Sequence, residues 1–400
     1  MLTDIVVVGS SVAGVRAVET LRERGYDGRV TLVGADAELP YDRPPLSKEL
    51  LTGELTEHDV RLVTADRLTD LRVEPLLGHP AVGLDLAAQV VHTTTGDVRY
   101  DGLIIATGST PVRPRGWPSL DGVHTLRDLG DARAIAAALR RGSPRVVVIG
   151  AGFVGCEIAA AARLLGLDTT VVESQPWPLR RALRPDLVAP IVRLHRDHGV
   201  RLRCGTEVRA LLGTTRVEQV ELADGTLLDA DLVVIGIGAV PVTDWLAGSG
   251  LAVGDGVLTD RTLRASAPNV YAAGDVARWP SDRSAGSHRV EHWTNARKQG
   301  ARAAANLLDP AAARPFTDVP YVWSDQHGRR LQLAGATRSG EMRFLLGGPD
   351  EASYLAVFVE HGVVVGAVGF DRPRDFQRVR RVVGTDIAWS ELAEQHSSVG

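Results

Sequence analysis

Two stretches of this sequence share one design. Residues 4–25, "DIVVVGSSVAGVRAVETLRERG", run from a β-branched strand through a small-residue turn into a helix-period stretch ending at Gly25. Residues 144–166, "PRVVVIGAGFVGCEIAAAARLLG", repeat the plan. Each is followed by a second apolar strand that ends near an acid, "RVTLVGAD" at Asp36 and "DTTVVE" at Glu173. Strand, tight turn, helix and strand in that order open a doubly wound parallel sheet. Two copies predict two Rossmann-like nucleotide-binding domains.

The landmarks around these copies divide the rest of the chain. "YDGLIIATGS" (100–109) and "ADLVVIGIGAVPVTDWL" (230–246) read as strands with small-residue turns. "APNVYAAGDVA" (267–277) reads as a strand running through Gly-Asp into a helix. From about 320 the pattern changes to short alternating runs, "RRLQLAGA" and "YLAVFVEHGVVVGAVGF", the latter a hairpin turning at His361-Gly362. The expected class is α/β: two Rossmann-like domains plus a small α+β C-terminal domain. Residues 1–111 and 244–319 would form the first nucleotide domain, 112–243 the second, inserted one, and 320–400 the third.

Composition narrows the function. At 400 residues the chain exceeds what one core usually covers, which also favours several domains. A net charge of −4 gives no overall attraction to nucleic acid or to a membrane surface. No apolar run reaches the roughly 18 residues of a spanning helix. The N-terminus, with Asp4 and no basic stretch, is unlike a signal peptide, so a cytoplasmic location is expected. The two cysteines, Cys156 and Cys204, stand far apart and outside any CxxC. Neither a disulfide framework nor a metal site is expected from them.

The turns carry the chemistry. Gly150, Gly152 and Gly155 match the dinucleotide fingerprint: one glycine for the turn, one for backbone approach to pyrophosphate, one for helix packing on strand. Pyrophosphate would rest on the helix N-terminus, where unpaired N–H groups point outward. Glu173 would accept the adenine ribose 2′-hydroxyl and repel a 2′-phosphate. NADH is therefore favoured over NADPH, although Arg180 and Arg181 lie nearby. The other copy reads Gly9-Ser10-Ser11-Val12-Ala13-Gly14, with Ser11 in the middle position and Asp36 as ribose acceptor. Its plain alternative is a turn that binds nothing, but serine is small and keeps its N–H. Two dinucleotide loops in one chain point to one cofactor that stays and one that exchanges, FAD and a nicotinamide.

One residue stands out against its background. Of 45 Lys+Arg only Lys48 and Lys298 are lysines, and Lys48 follows Pro44 and Pro45 in "YDRPPLSKEL". Prolines suit the first positions of a short helix, where no N–H is needed. Lys48 is then either a solvated helix residue or a compact point charge placed where a broad guanidinium would not fit.

Six segments move the reading from a class to a family. "LPYDRPPLSKELL" (39–51), "IIATGS" (104–109), "GAGFVGCE" (150–157), "AAGDVA" (272–277), "VEHWTNARKQG" (290–300) and "VPYVWSDQHG" (319–328) occur in order across nearly the whole chain. Together they resemble the FAD-dependent ferredoxin reductases of bacterial oxygenase systems, the putidaredoxin-reductase-like group within the pyridine nucleotide-disulfide oxidoreductases. The resemblance implies an FAD site lined by Gly9, Ser11, Ala13, Gly14, Asp36, Arg43, Pro45, Lys48, Val82 and Arg127. Ala106, Thr107 and Gly108 would lie near the pyrophosphate, Gly274 and Asp275 near the ribityl chain, and Glu291, His292 and Trp293 by the isoalloxazine. It implies an NADH site made of Gly150, Gly152, Phe153, Val154, Gly155, Glu157, Glu173, Gly236 and Gly238. Lys48 and Glu157 would form an ion pair beside the reacting edge of the ring and act as the catalytic residues. His292 reads as a satisfied structural histidine rather than a proton donor.

The resemblance also implies where the electrons go. Disulfide reductases use a CxxC or CxxxxC pair; the corresponding segment here is PPLSK. Electrons would leave FAD one at a time for a 2Fe-2S ferredoxin that supplies a monooxygenase or ring-hydroxylating dioxygenase. Ferredoxins are acidic, which makes Arg289, Arg297, Lys298, Arg329 and Arg330 the docking candidates. The expected assembly is a monomer or weak homodimer. Two rivals remain: an NADH oxidase or small-quinone or radical reductase without a protein partner, and a redox-sensing flavoprotein of the apoptosis-inducing-factor type.

Overall fold

The computed structural model describes residues 2–281 and 286–397, and the chain divides into two compact units. The first comprises Met1–Asp42, His58–Thr110 and Ala239–Pro320; the second comprises Arg43–Glu57, Pro111–Gly238 and Tyr321–Gly400.

In the first unit Asp4–Val8 is the central strand of a five-stranded sheet. It lies between Arg29–Gly34 and Gly102–Ile105, with Val73–Leu77 and Val270–Ala272 at the edges, and every neighbour runs parallel. Ile5 and Val7 enter one core layer with Leu32 and Ile104, while Val6 and Val8 enter another with Val33 and Ile105. A sheet covered on both faces needs continuous apolar strands, which is why these segments read VVV and LII rather than alternating. Each such buried side chain contributes about 1.5–3 kcal/mol. Pro75 lies on an edge strand, where a missing donor is tolerated. A three-stranded antiparallel meander, Ala81–Asp85, Val90–Thr93 and Gly96–Arg99, carries Val82.

The second unit repeats the layout. Val146–Ile149 is central between Thr169–Glu173 and Leu232–Ile235, with Arg201–Cys204 and Val123–Thr125 outermost, again all parallel. In both sheets the order reverses at the central strand, so the loop leaving it opens at the topological switch point, where doubly wound folds bind ligands. The C-terminal part adds a five-stranded antiparallel sheet. Its order is Tyr321–Gln326, Arg329–Gly335, Val363–Phe370, Tyr354–Glu360 and Glu341–Gly347, with the Pro373–Arg380 helix packed on it. His361 and Gly362 have φ of 50° and 81°, the left-handed pair that a two-residue hairpin turn of this twist demands. Leu331, Tyr354 and Phe358 share a core with Leu179, Leu187 and Ile191, and the Tyr354 hydroxyl donates to the Leu187 carbonyl at 2.8 Å.

Two local expectations change. After Gly274-Asp275 there is only a 3₁₀ turn, Gly274–Val276, and then a strand, Ala277–Pro280, rather than a helix. Ala277 and Trp279 alternate into the core while Ala277 and Arg278 pair with Val257 and Leu258, so a period of two wins there. Pro44–Ser47 is likewise a 3₁₀ turn, and Lys48 sits at its junction with the one-turn Glu49–Thr52 helix. This segment belongs to the second unit: Arg140 Nη2 donates to the Leu51 carbonyl at 3.1 Å, and Arg133 pairs with Glu57 at 2.5 Å.

Candidate functional sites

In the second unit the strand Val146–Ile149 runs through Gly150 into the Phe153–Leu164 helix. A Cβ at Gly155 would sit on the Gly150 carbonyl, so helix and strand can close only over glycine. Gly152 is different. It has φ −76°, open to any residue, and a Cβ there would meet no protein atom within 4 Å. Nothing inside the protein asks for glycine at 152, which is what a position reserved for close approach of a phosphate looks like. The helix has Gly152 as its N-cap, with no side-chain cap and no acid in its first turn, leaving its donors to an anion. Val154 beside it is 41% exposed. Glu173 accepts the Ala151 amide at 2.7 Å and the Gln175 amide at 2.8 Å, which locks its carboxylate against the loop with lone pairs to spare. Arg180 is drawn to the Gln175 side chain and lies over the Trp177 ring. All nine sequence candidates for the nicotinamide dinucleotide, from Gly150 to Gly238, fall in this unit.

The first unit holds the companion loop. Ser11 caps the Val12–Glu23 helix with φ −95°, and its hydroxyl makes no cap bond. The helix is closed against its strand at Gly14 in the same way as at Gly155. Asp36 receives the Tyr41 hydroxyl at 2.8 Å. Thr107 Oγ1 donates to the Val242 carbonyl at 2.8 Å, Ser109 Oγ donates to Asp275 at 3.1 Å, and the Gly274 amide donates to Gln299 Oε1 at 2.9 Å. Trp293 Nε1 donates to Asp42 at 2.7 Å, while burial pushes the Asp42 carboxyl up. Glu291 is ion-paired with Arg289. His292 departs from the expectation of a satisfied structural residue: its buried Nδ1 has no partner among the described residues, and burial lowers its pKa to about 4. Gly9, Ala13, Val82, Ala106 and Gly108 also belong to this unit, whereas Arg43, Pro45, Lys48 and Arg127 belong to the second. The glycine turn, the uncapped helix and the ribose-side acid fit a bound dinucleotide in each unit.

Lys48 and Glu157 meet within the second unit at 3.3 Å, their side chains 11% and 6% exposed. Two further groups, which the sequence motifs contain but residue-type reasoning does not single out, complete the arrangement. Ser47 Oγ donates to Glu157 Oε2 in a short bond, and Ser324 Oγ donates to Oε1 at 2.6 Å. Burial pushes the Glu157 carboxyl up, while Lys48, Ser324 and Ser47 pull it back down. The only signal for the serines was their place in PPLSK and VWSDQ, both in segments that carried the resemblance.

Both cysteines are free, and Cys156 is wholly buried, its thiol pushed far up by burial and its Sγ directed at the Ala151 carbonyl. Four of the five docking candidates are already ion-paired: Arg289 with Asp255 and Glu291, Lys298 with Asp318, Arg329 with Asp371 and Arg330 with Asp325. Arg297 is exposed and makes no ion pair among the described residues. No helix among the described residues is long and apolar enough to cross a membrane.

Residues 3–300 match the family described as pyridine nucleotide-disulphide oxidoreductase, and residues 321–398 that described as reductase C-terminal. Rhodocoxin reductase of Rhodococcus erythropolis is 36% identical over 388 residues, 96% of this chain and 90% of that protein. The ferredoxin reductase component of chlorobenzene dioxygenase from Cupriavidus sp. (strain PS12) is 35% identical over 386 residues, 96% and 93% of the two chains. The fold matches the crystal structure of the covalent putidaredoxin reductase–putidaredoxin complex with a TM-score of 0.92 at 29% identity, covering 99% of this chain and 98% of that one.

Proposed function

This chain belongs to the pyridine nucleotide-disulphide oxidoreductase family, and from that membership we propose that it passes electrons from NADH through FAD to a 2Fe-2S ferredoxin serving a monooxygenase or ring-hydroxylating dioxygenase. FAD, when bound, takes hydride from NADH and releases the two electrons singly.

The residues have separate tasks in this reading. The Gly9–Gly14 loop holds the FAD pyrophosphate, with Asp36 on its ribose. The Gly150–Gly155 loop holds the nicotinamide dinucleotide, with Glu173 on its ribose and its charge set against a 2′-phosphate, which makes NADH the preferred donor. Lys48 would supply a positive charge beside the flavin ring, and Glu157 would fix the ammonium there. A thin stem ending in a point charge can do this without covering the ring; a guanidinium fork cannot.

The observation that carries the choice of acceptor is the state of Cys156: buried, unpaired and held as a thiol, it offers electrons no disulfide relay. An external one-electron carrier is then the natural exit, in line with the names of the relatives. Because four docking candidates already hold carboxylates, an acidic ferredoxin must exchange partners with them, and Arg297 contributes an exposed charge with no close ion pair among the described residues. We place the protein in the cytoplasm as a monomer or weak homodimer.

A panel of 2Fe-2S ferredoxins tested for NADH-driven reduction decides the matter. Ferredoxin turnover that exceeds turnover with oxygen or quinones supports the proposal. The reverse ranking selects the oxidase or quinone-reductase alternative.

A further inference from the structure

A single file of hydrogen bonds leads from the Glu157 carboxylate to a pair of histidines. Ser324 Oγ stands 2.6 Å from Glu157 Oε1, Gln326 Nε2 2.9 Å from Ser324 Oγ, and His195 Nε2 2.8 Å from Gln326 Oε1. His327 Nε2 follows at 3.2 Å from His195 Nδ1, its ring stacked on His198 at 4.2 Å. Ser324 and His195 are 0% exposed and Gln326 is 2% exposed, and the whole file lies in the second unit. Strand alternation explains its start: Ser324 and Gln326 share one side of Tyr321–Gln326, while Asp325 points to the other and pairs with Arg330.

The direction of the file is forced. An ionised carboxylate only accepts, so Ser324 donates to it. The serine oxygen then accepts from the Gln326 amide nitrogen, which leaves Oε1 to accept from His195. A neutral His195 with its proton on Nε2 has a bare Nδ1, and that atom accepts from His327. A protonated Glu157 carrying its proton on Oε2 still accepts from Ser324 through Oε1, so the file keeps this direction in either state.

We infer that Gln326, His195 and His327 are positioning residues for hydride transfer, fixing the Ser324 hydroxyl on Glu157 so that the carboxylate stays ionised opposite Lys48. The inference rests on the proposed role of Lys48 and Glu157. Burial lowers the pKa of His195 and takes His327 to about 3, so the file is uncharged at neutral pH. Few other charges intervene. Around Glu157 the packed elements carry Lys48 and Glu49 on the PPLSKE segment, Asp325 on the neighbouring strand, Glu173 beyond the loop, and Cys156 and Arg163 on its own helix. Around the histidines they are His198 and Arg163.

The test uses FAD-loaded protein. An infrared titration follows the Glu157 carboxyl, assigned with Glu157→Gln, beside the pH profile of NADH-driven flavin bleaching. Ser324→Ala should raise the carboxyl midpoint by about one unit or more, Gln326→Met by less, and Ser324→Thr, which keeps the hydroxyl, should leave it in place. In the unmodified protein, ¹⁵N-histidine spectra should show the His195 proton on Nε2. Unchanged midpoints in Ser324→Ala and Gln326→Met, or a His195 proton found on Nδ1, would overturn the inference. Midpoints that move while bleaching rates stay fixed across the pH profile would overturn the role of the file in hydride transfer, whereas Lys48→Ala tests the proposed roles of Lys48 and Glu157 separately.

Discussion

Lys48 Nζ and Glu157 Oε2 lie 3.3 Å apart, and both side chains are almost wholly withdrawn from the surface. Burial makes each charge costly alone and each the other's compensation, so losing one partner strands the other. Lys48→Ala is expected to lower stability by about 3–5 kcal/mol. It should also slow NADH-driven flavin bleaching by about 100-fold. Combining Lys48→Met with Glu157→Leu removes both charges and should recover the stability but not the rate. Denaturant melts and stopped-flow absorbance on FAD-loaded protein read the two effects separately. Full activity in the double variant would show that the pair is structural.

The two inner glycines of the Gly150–Gly155 loop should respond in opposite ways. Gly152→Ala meets open space and should cost under about 1 kcal/mol of stability, the ordinary loss for alanine at a helix N-cap. Its KM for NADH should nevertheless rise about tenfold or more, because the methyl occupies the room left for pyrophosphate. Gly155→Ala places a carbon on the Gly150 carbonyl and should yield little folded protein. A normal KM in Gly152→Ala would say that the loop does not hold the dinucleotide.

Glu173 is held by two backbone amides as well as offered to a ribose. Glu173→Gln keeps an acceptor and removes the charge. It should therefore narrow the preference for NADH over NADPH while leaving the fold intact. The ratio of kcat/KM values for the two nucleotides measures this, and an unchanged ratio would assign discrimination elsewhere.

Three histidines, His195 buried and His292 and His327 half-buried, give stability a pH dependence. His195, His292 and His327 all have folded values below 6.5, about 4 for His292 and about 3 for His327, with desolvation as the leading cause. A depressed histidine binds its proton more readily when unfolded. Its contribution is complete above 6.5 and is lost as pH falls below that value toward the folded one. Glu157, raised by burial, works in the opposite sense. Melting temperatures between pH 6.5 and pH 5, above the range of most carboxylates, should fall. His327→Asn, which tolerates the left-handed backbone at φ 50°, should make the fall shallower. An identical slope in the variant would contradict the assignment.

The sheets were legible because each central strand is buried on both faces, so the continuous runs at 5–8 and 146–149 admit little else. His361-Gly362 was legible because the turn needs positive φ twice and the flanking runs alternate. His327-Gly328, with φ of 50° and 72°, turns the neighbouring hairpin by the same device. The strand at Ala277–Pro280 was hidden because four residues carry too little periodicity to outweigh a Gly-Asp signal. The surroundings of Glu157 were hidden for another reason. Ser47, Ser324, Gln326 and His195 come from distant parts of the chain, and only tertiary packing brings their hydroxyl, amide and imidazole groups into line.

The most direct measurement is anaerobic rapid mixing of the FAD-loaded protein with NADH, followed by an oxidised 2Fe-2S ferredoxin. NADH should bleach the flavin absorbance quickly in the unmodified chain and slowly in Lys48→Ala. Added ferredoxin should restore it as the iron–sulfur absorbance falls, one electron to each ferredoxin. Flavin that bleaches equally fast without Lys48, or that recovers with oxygen but not with any ferredoxin tried, would contradict the account.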